Sequence, residues 1–568
     1  MNRLKITITL IGLCTLMACQ EDFLDRYPLD TVTEASFFKS PGDMMIFMNQ
    51  FYKRSNFPQV DYGLGDLDSD INASDASINV RLQGTQTINS GSDFGYAEIR
   101  AVNYFLANYK KCEEDFETYK QYVGEAYFFR AFFYFGQLKK FGDIPLISTV
   151  LNTNSPELYG ERSPRNIIAD YILADLDTAA LYLSADKTNG YSRINKWMAL
   201  LYQSRVALYE GTWEKYHNGT PFGLANAQPA KYLDKAVEAA TAVMNSGLYD
   251  IYNTGNPSAD YVDLFALRDY TSNKEVMFWT KMNLSLGVYA YHTLFMMEYP
   301  QGKGLTKSFA DSYLCTDGLP IATSPLFKGH ARLSDEATDR DPRFYQTIFT
   351  PASPWKIENG VTKTFNDCYV TLFSTVSLST PTGYMRRKNY NPNVIYHSST
   401  SEETPSIQFR YAEVLLNYIE AKAELGTISQ GDIDLSIKKL RSRVGMPNLN
   451  LSAIPNDPNW EFPALPPVIN EIRRERKIEL ALENFRLDDI MRWAAADELI
   501  IGKRPKGATK SQFARTPTYP ADENGFIDAF QVALPNGWQF KPNRDYLYPI
   551  KENQILLNPN LTQNPGWE

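Results

Sequence analysis

The feature that most constrains the fold is a run of apolar residues at helical spacing, QYVGEAYFFRAFFYFGQLKKFGDIPL, which begins at Gln121. Aromatic and small apolar side chains cover almost the whole circumference of this predicted helix, which ends at Phe141, Gly142 and Asp143. A helix that is apolar nearly all round lies inside a protein. The chain must therefore build a large helical core around this segment.

Further segments show the same helical period, and several of them end at a glycine. They are residues 194–209, 231–246, 409–425, 433–444 and 468–496. Small residues alternate with large ones at Ala199, Ala207, Ala236, Ala239 and Ala240. This alternation lets paired helices approach closely, as tetratricopeptide-like helix pairs do. We therefore predict a mostly α fold, a tetratricopeptide-like α-α superhelix.

Two stretches of the chain lack helical periodicity. Residues 249–404 scatter Pro, Gly, Asn, Ser and Thr between short aromatic runs, and residues 61–94 are similarly rich in turn-forming residues. Such composition predicts an irregular lobe of loops with short strands. Binding residues are commonly carried by loops on a rigid scaffold, so we expect the ligand site there.

The N-terminal residues have the layout of a secretory signal peptide. Arg3 and Lys5 precede an uncharged, mostly apolar run at 6–18, and the run ends at Cys19 in a sequence that resembles a bacterial lipobox. The alternative is ordinary signal cleavage with a chance cysteine. Lipidation of Cys19 would anchor the chain stably without a membrane-spanning helix. The acidic residues after Cys19 resemble an outer-leaflet export signal or, alternatively, form a solvated linker.

Charge and cysteine content limit the classes of partner. The net charge of -9 and the pI near 5.3 argue against nucleic acid as a partner. With 36 Tyr and 32 Phe, the chain is rich in aromatic side chains, and tyrosines suit sugar or peptide contact surfaces. Cys112, Cys315 and Cys368 form no disulfide framework, although a single pair among them stays open.

Motifs for catalysis, cofactors and metals are missing from the sequence. No two of the 4 histidines have metal-ligand spacing, and no nucleophile elbow, phosphate loop or dinucleotide loop is complete. The acidic turn at Asp66, Asp68 and Asp70 lacks the glycine and the glutamate of a calcium loop, so we predict a solvated turn. We expect no enzyme, no cofactor and no metal, although a glycosidase carboxylate pair leaves no recognisable motif.

Several segments, in order, resemble the SusD/RagB family. They are DFLDRYPLDTVTEASFF, EAYFFRAFFYFGQLKKFGDIPLI, FRYAEVLLNYIEAKAELG, IKKLRSRVGMP, INEIRRERKIELALENFRLDDIMRW and YLYPIKENQILLNPNLTQNPGW. The resemblance implies a helical scaffold with an irregular ligand-binding lobe that docks on a SusC-like TonB-dependent transporter at the outer membrane. Such proteins capture oligosaccharides, or peptides in the RagB branch. A surface glycoside hydrolase is a further alternative.

The predicted organisation has five parts. They are a signal peptide at 1–18, an anchored segment with the first helix at 19–58, an N-terminal helical region at 59–248, the irregular lobe at 249–404 and a C-terminal helical region at 405–568. Charges in the helical segments are predicted to form structural pairs. They are Arg410, Glu413, Glu475, Arg476, Glu479 and Arg486.

The candidate ligand-binding residues are aromatic and polar side chains of the two irregular stretches. Oligosaccharide binding needs aromatic planes beside hydrogen-bond donors and acceptors. The candidates are Tyr62, Asp68, Asn72, Trp279, Tyr289, Tyr291, Arg332 and Trp355. Trp279 and Tyr291 also fit a core role, because both lie within apolar runs.

Overall fold

The architecture is that of a computed structural model. It describes residues 37–59, 65–75, 78–90, 93–187, 193–291, 293–366, 369, 373, 379–515 and 518–568. Cys19, Tyr62 and Cys368 lie outside these residues. Cys112 and Cys315 are buried and free, so they do not form a disulfide with each other.

The described part of the chain is mostly helical, as predicted. The helices are α1 Pro41–Asn49, α2 Ala97–Asn108, α3 Phe116–Phe141, α4 Arg165–Tyr182, α5 Lys196–Tyr216, α6 Pro229–Asn245, α7 Asp260–Ala266, α8 Thr293–Met297, α9 Lys307–Ser312, α10 Leu333–Ala337, α11 Arg343–Thr347, α12 Tyr411–Glu424, α13 Gln430–Leu435, α14 Ile437–Arg443, α15 Pro467–Glu479, α16 Arg486–Arg492, α17 Ala496–Leu499 and α18 Glu552–Leu557. The strands are β1 Asn72–Ser74, β2 Val276–Thr280, β3 Lys303–Leu305, β4 Pro354–Glu358, β5 Val361–Thr364 and β6 Ser406–Arg410.

The scaffold is a succession of packed helices. Helix α3 packs on α4, α4 on α5 and α5 on α6, while α12 contacts α5, α6 and α15. The five alanines predicted at helix contacts are all buried. At Gly211 of α5, an added Cβ would lie 2.9 Å from Cγ of Leu233 of α6. The two helices therefore approach more closely there than any larger side chain would allow.

The lobe is irregular and contains only short strands in its described residues. β2 pairs antiparallel with β6, which leads directly into α12, and β4 pairs antiparallel with β5. β1, from the earlier irregular stretch, pairs antiparallel with β3 of the lobe, with Asn72 opposite Leu305. The two irregular stretches predicted from composition are therefore joined in one sheet.

Three predicted helices are interrupted. The segment 468–496 forms α15, α16 and α17, because Leu482 and Asn484 adopt positive φ of 67° and 64°, which no α-helix accommodates. The segment 409–425 begins as strand β6, where pairing with β2 replaces helical hydrogen bonds. The segment 433–444 falls across α13 and α14, which meet at Ser436.

The predicted charge pairs are confirmed. Arg410 contacts Glu479 at 2.8 Å, Glu475 contacts Arg343 at 2.6 Å, and Arg476 contacts Asp489 at 2.9 Å. The remaining pairs are Glu413 with Arg205 and Arg486 with Asp70. Most of these charges are buried, so each depends on its partner.

The prediction of a solvated acidic turn at 66–70 is wrong for two of its three aspartates. Asp66 is buried and accepts hydrogen bonds from the amides of Leu482 at 2.7 Å and Arg486 at 3.0 Å. The side chain of Asp70 pairs with Arg486 at 2.7 Å. Only Asp68 is exposed. The turn is held against the segment between α15 and α16 because that segment supplies free amides and a cation.

Candidate functional site

A cavity of about 340 Å³ opens between the helical scaffold and the lobe; we call it the groove. Its walls come from the segment after α1, from α3 and α5, from β6 and from the loop between α15 and α16. The lining includes Phe57, Gln59, Phe132, Phe135, Lys139, Tyr202, Arg205, Asn389, Gln408, Phe409, Glu483, Asn484, Phe485 and Asp488. Clefts where separate parts of a fold meet are common ligand sites.

The groove combines aromatic rings with charged and amide groups. The Arg205 guanidinium lies over the rings of Tyr202, Phe409 and Phe485 at 5.2, 5.2 and 5.0 Å from their centroids. It also forms two hydrogen bonds to Glu413, at 2.6 and 2.7 Å. These contacts hold the guanidinium and the three rings in one fixed arrangement, and the Glu413 carboxylate compensates the positive charge.

One wall of the groove is a loop with an unusual backbone. Leu482 and Asn484 have positive φ, and Asn389, which also lines the groove, has φ 71°. Asp66 holds the loop by accepting the Leu482 amide, and Asn484 Oδ1 accepts the Asp66 amide at 3.1 Å. Burial raises the pKa of Asp66 to about 7, although these amide hydrogen bonds oppose the shift. Non-glycine residues at positive φ need such support and cluster at functional sites.

A hairpin-like loop at 283–291 borders the groove. The carbonyl of Tyr289 accepts hydrogen bonds from Gln59 Nε2 at 2.9 Å and from Arg54 Nη2. The rings of Tyr289 and Tyr291 pack edge to face, with centroids 5.5 Å apart. Tyr291 is 56% exposed and Tyr289 is half-buried, so this pair presents aromatic surface to solvent beside the groove.

Two of the predicted aromatic candidates are core residues. Trp279 is 3% exposed and packs edge to face against Tyr270. Trp355 is 9% exposed and stacks on Tyr390 in a cluster with Phe349. Neither ring offers an open face to a ligand, because each is packed inside a hydrophobic cluster of the lobe.

The polar candidates are dispersed. Asn72 is buried, and its Nδ2 donates to the carbonyl of Gly65 at 2.8 Å. Asp68 is exposed, and Arg332 is exposed just before α10. No contact among the described residues links either of them to Tyr289 or Tyr291. Of the predicted candidates that the structure describes, only Tyr289 and Tyr291 are therefore seen together.

Several groove residues were not predicted. Arg205 and Asn484 come from predicted helical segments, Gln408 directly precedes one, and none of the three was singled out as a ligand candidate. Helical periodicity gave no signal for these three residues. They meet in the groove only because the loop after α15 folds back towards α5 and β6. The pairing of a glutamine with aromatics in QFRY, where β6 ends and α12 begins, was the one local sign available.

Metal and membrane features add no further site in the described ranges. There, no group of three or more His, Cys, Asp or Glu side chains is arranged to hold a metal ion. Across the same residues, none of the helices has the length and apolarity needed to cross a bilayer.

Comparisons with known proteins agree with this architecture. SusD-like protein P2 of Formosa agariphila is 25% identical over 597 aligned residues, covering 100% of both chains. A SusD-like protein of Bacteroides fragilis superposes with a TM-score of 0.71 at 23% identity, covering 95% of this chain and 100% of that one. A SusD-like carbohydrate binding protein of the same species gives a TM-score of 0.67 at 22% identity, covering 93% and 100%.

Family models match both halves of the chain. Residues 48–208 match a family described as starch-binding and associating with the outer membrane. Residues 245–567, more than half of the chain, match the SusD family, SusD_RagB. The order of helices, the irregular lobe and this match lead to one assignment: the chain belongs to the SusD family of carbohydrate-binding proteins.

Proposed function

We propose that this protein captures oligosaccharides at the groove and the adjoining Tyr289–Tyr291 pair and delivers them to a SusC-like TonB-dependent transporter. The observation that carries the proposal is the exposed aromatic pair beside a cavity rich in amides and charges. Sugar rings offer C–H faces to aromatic planes and hydroxyls to polar side chains. The groove supplies both within one cleft.

Retention of glycans by the purified protein tests this site. Wild type should be retained by one member of a panel of immobilised polysaccharides, and Tyr291→Ala and Tyr289→Ala should weaken that retention. Base or sugar stacking on an aromatic platform is worth about 1–3 kcal/mol, so a loss of roughly five- to hundredfold is expected. Tyr159→Ala is the matched control, because Tyr159 is 55% exposed and lies outside both the groove lining and the 283–291 loop.

The same panel separates the alternatives. Immobilised peptides are included, because binding of peptides alone would identify a RagB-type uptake protein. Release of soluble products from any polysaccharide would identify a hydrolase instead of a binding protein. Equal retention of wild type and both tyrosine variants would place the glycan site elsewhere.

We also propose that Cys19 carries the lipid anchor at the outer surface of the outer membrane. The family description includes association with the outer membrane. Metabolic labelling with a fatty-acid probe should mark wild type and should not mark Cys19→Ala. Purification of the tagged protein in mild detergent should recover a TonB-dependent barrel; recovery without one would contradict the delivery step.

A further inference from the structure

A second cavity, of about 530 Å³, lies within the lobe on the side of α10 and α11. Its walls are made mainly of small residues and prolines, together with Tyr345 and Arg387. The lining is Ser258, Ala259, Ser334, Ala337, Thr338, Tyr345, Thr350, Pro351, Ala352, Ser353, Pro354 and Arg387. We call it the Arg387 cavity. Arg387 is the charged residue of this lining.

Arg387 differs from the arginines of the buried network in its partners. Arg343 and Arg410 each contact two or more carboxylates. The guanidinium of Arg387 makes one hydrogen bond among the described residues, from Nη1 to the carbonyl of Tyr345 at 2.7 Å, and it forms no ion pair there. An arginine has five N–H donors, so most of its donors remain available on the cavity side.

The charge of Arg387 is only weakly compensated. Burial lowers the pKa of Arg387 to about 10, and the more distant carboxylate of Asp263 only partly opposes this shift. The guanidinium stays protonated at neutral pH. A partly buried cation that no carboxylate of the described residues contacts is costly, and an anion reaching it would be bound by charge-assisted hydrogen bonds.

We propose that the Arg387 cavity binds the oxyanion of a charged sugar unit, a carboxylate or a sulfate, with Arg387 as its fork-shaped partner. The lining has C–H surface in Ala337, Ala352 and Pro354 for a sugar ring, and hydroxyls in Ser334 and Thr338 at its edge. Asn389, which lines the groove, follows Arg387 by two residues, so their Cα atoms lie no more than about 7 Å apart. That the anion belongs to a sugar rests on the proposed function.

Calorimetric titration of the full protein tests the cavity directly. The probes are glucuronate, glucose 6-sulfate and glucose, at low and at physiological salt. Wild type should bind at least one of the two anions and not glucose, and binding should weaken with salt. The anion that binds more tightly distinguishes a carboxylate from a sulfate as the natural group.

Two variants keep the test independent of folding. Arg387→Gln should weaken anion binding by about tenfold or more, because charged hydrogen bonds contribute about 1.5–3 kcal/mol. Ala352→Phe should narrow the cavity and weaken binding while leaving Arg387 in place; Ala352 is exposed at the wall, so the core is not disturbed. Arg515→Gln, which removes the same charge from an exposed site, should bind like wild type.

The outcomes separate this inference from the proposed function. Absence of anion binding by wild type, or undiminished binding by a folded Arg387→Gln and by Ala352→Phe, would overturn it. Neither result affects the retention of neutral glycans at the tyrosine pair. Conversely, normal anion binding with no polysaccharide retention would leave the cavity an anion site and contradict the glycan role.

Discussion

The helical scaffold and the irregular lobe are built from elements of very different length. In the scaffold, helices of up to 26 residues pack on their neighbours in the chain and bury whole apolar faces. In the described part of the lobe, the longest helix has 7 residues. The lobe is fixed by small apolar clusters and by charges that reach the C-terminal region, such as Arg343 to Glu475 of α15 and Lys388 to Glu483 of the loop after α15.

This difference shows that a lobe made of short helices and strands, each of low stability by itself, can carry a binding surface. Short elements contribute little stability by themselves. Glu479 of α15 contacts Arg343 of the lobe, Arg410 of β6 and Arg443 of α14. A few buried ion pairs therefore set the position of the lobe, while its exposed loops carry the groove rim and the Arg387 cavity.

The largest effect is expected from breaking that network. Glu479→Ala leaves three buried arginines without a shared carboxylate, which should reduce the free energy of unfolding by about 3–5 kcal/mol. Denaturant unfolding measures the change. Glu238→Ala, whose side chain is 71% exposed in a surface pair, should change it by less than about 0.5 kcal/mol. A loss below about 1 kcal/mol for Glu479→Ala would show that the network does not hold the lobe.

The aromatic core of the lobe should rank next. Trp355→Ala removes a ring that packs against Phe349, Phe365 and Tyr390, and it should cost about 3 kcal/mol by thermal or denaturant unfolding. Trp279→Ala should cost a similar amount, reduced because the buried indole N–H of Trp279 has no hydrogen-bond partner among the described residues. Melting temperatures unchanged in both variants would contradict the core assignment.

The stability of the scaffold should depend on pH through His217. This residue stacks on Trp213 with ring centroids 3.9 Å apart, and its Nε2 donates to the carbonyl of Met491 at 2.8 Å. Burial lowers the pKa of His217 to about 3. The folded pKa is thus below the unfolded value of about 6.5, so its stabilising contribution is complete above pH 6.5 and is lost as pH falls towards 3.

Between pH 7 and pH 5 this group should account for a loss of about 2 kcal/mol. The free energy of unfolding is measured at both pH values in wild type and in His217→Gln. The difference between the two proteins isolates the contribution of His217. The variant is expected to be less stable at pH 7, because it loses the ring stack, but its stability should fall less on acidification. An identical pH dependence in both proteins would contradict a neutral buried histidine.

The smallest effect on stability is expected at the groove rim. Tyr291→Ala should change the free energy of unfolding by less than about 0.5 kcal/mol, like the control Tyr159→Ala, since both side chains are more than half exposed. A large destabilisation would show that Tyr291 belongs to the core of the lobe and would remove it from the proposed site.

The sequence by itself determined the helical class, the buried character of α3, the structural role of the charges in α15 and the family. The first three follow from local periodicity and from residue types at fixed spacing, which a single helix already expresses, whereas the family follows from the resemblance of several segments in order. The position of Tyr289 and Tyr291 in an irregular stretch was also predicted, and their role in glycan binding stays a prediction.

Only the tertiary structure decided which candidates are exposed and which lie together. Trp279 and Tyr291 both lie within apolar runs, yet Trp279 is buried against Tyr270 and Tyr291 faces solvent. The groove brings Arg205, Gln408 and Asn484 together from three parts of the chain, because Asp66 holds the loop after α15 in a conformation that ends the helix. Such contacts join residues hundreds of positions apart, and local sequence patterns carry no information about them.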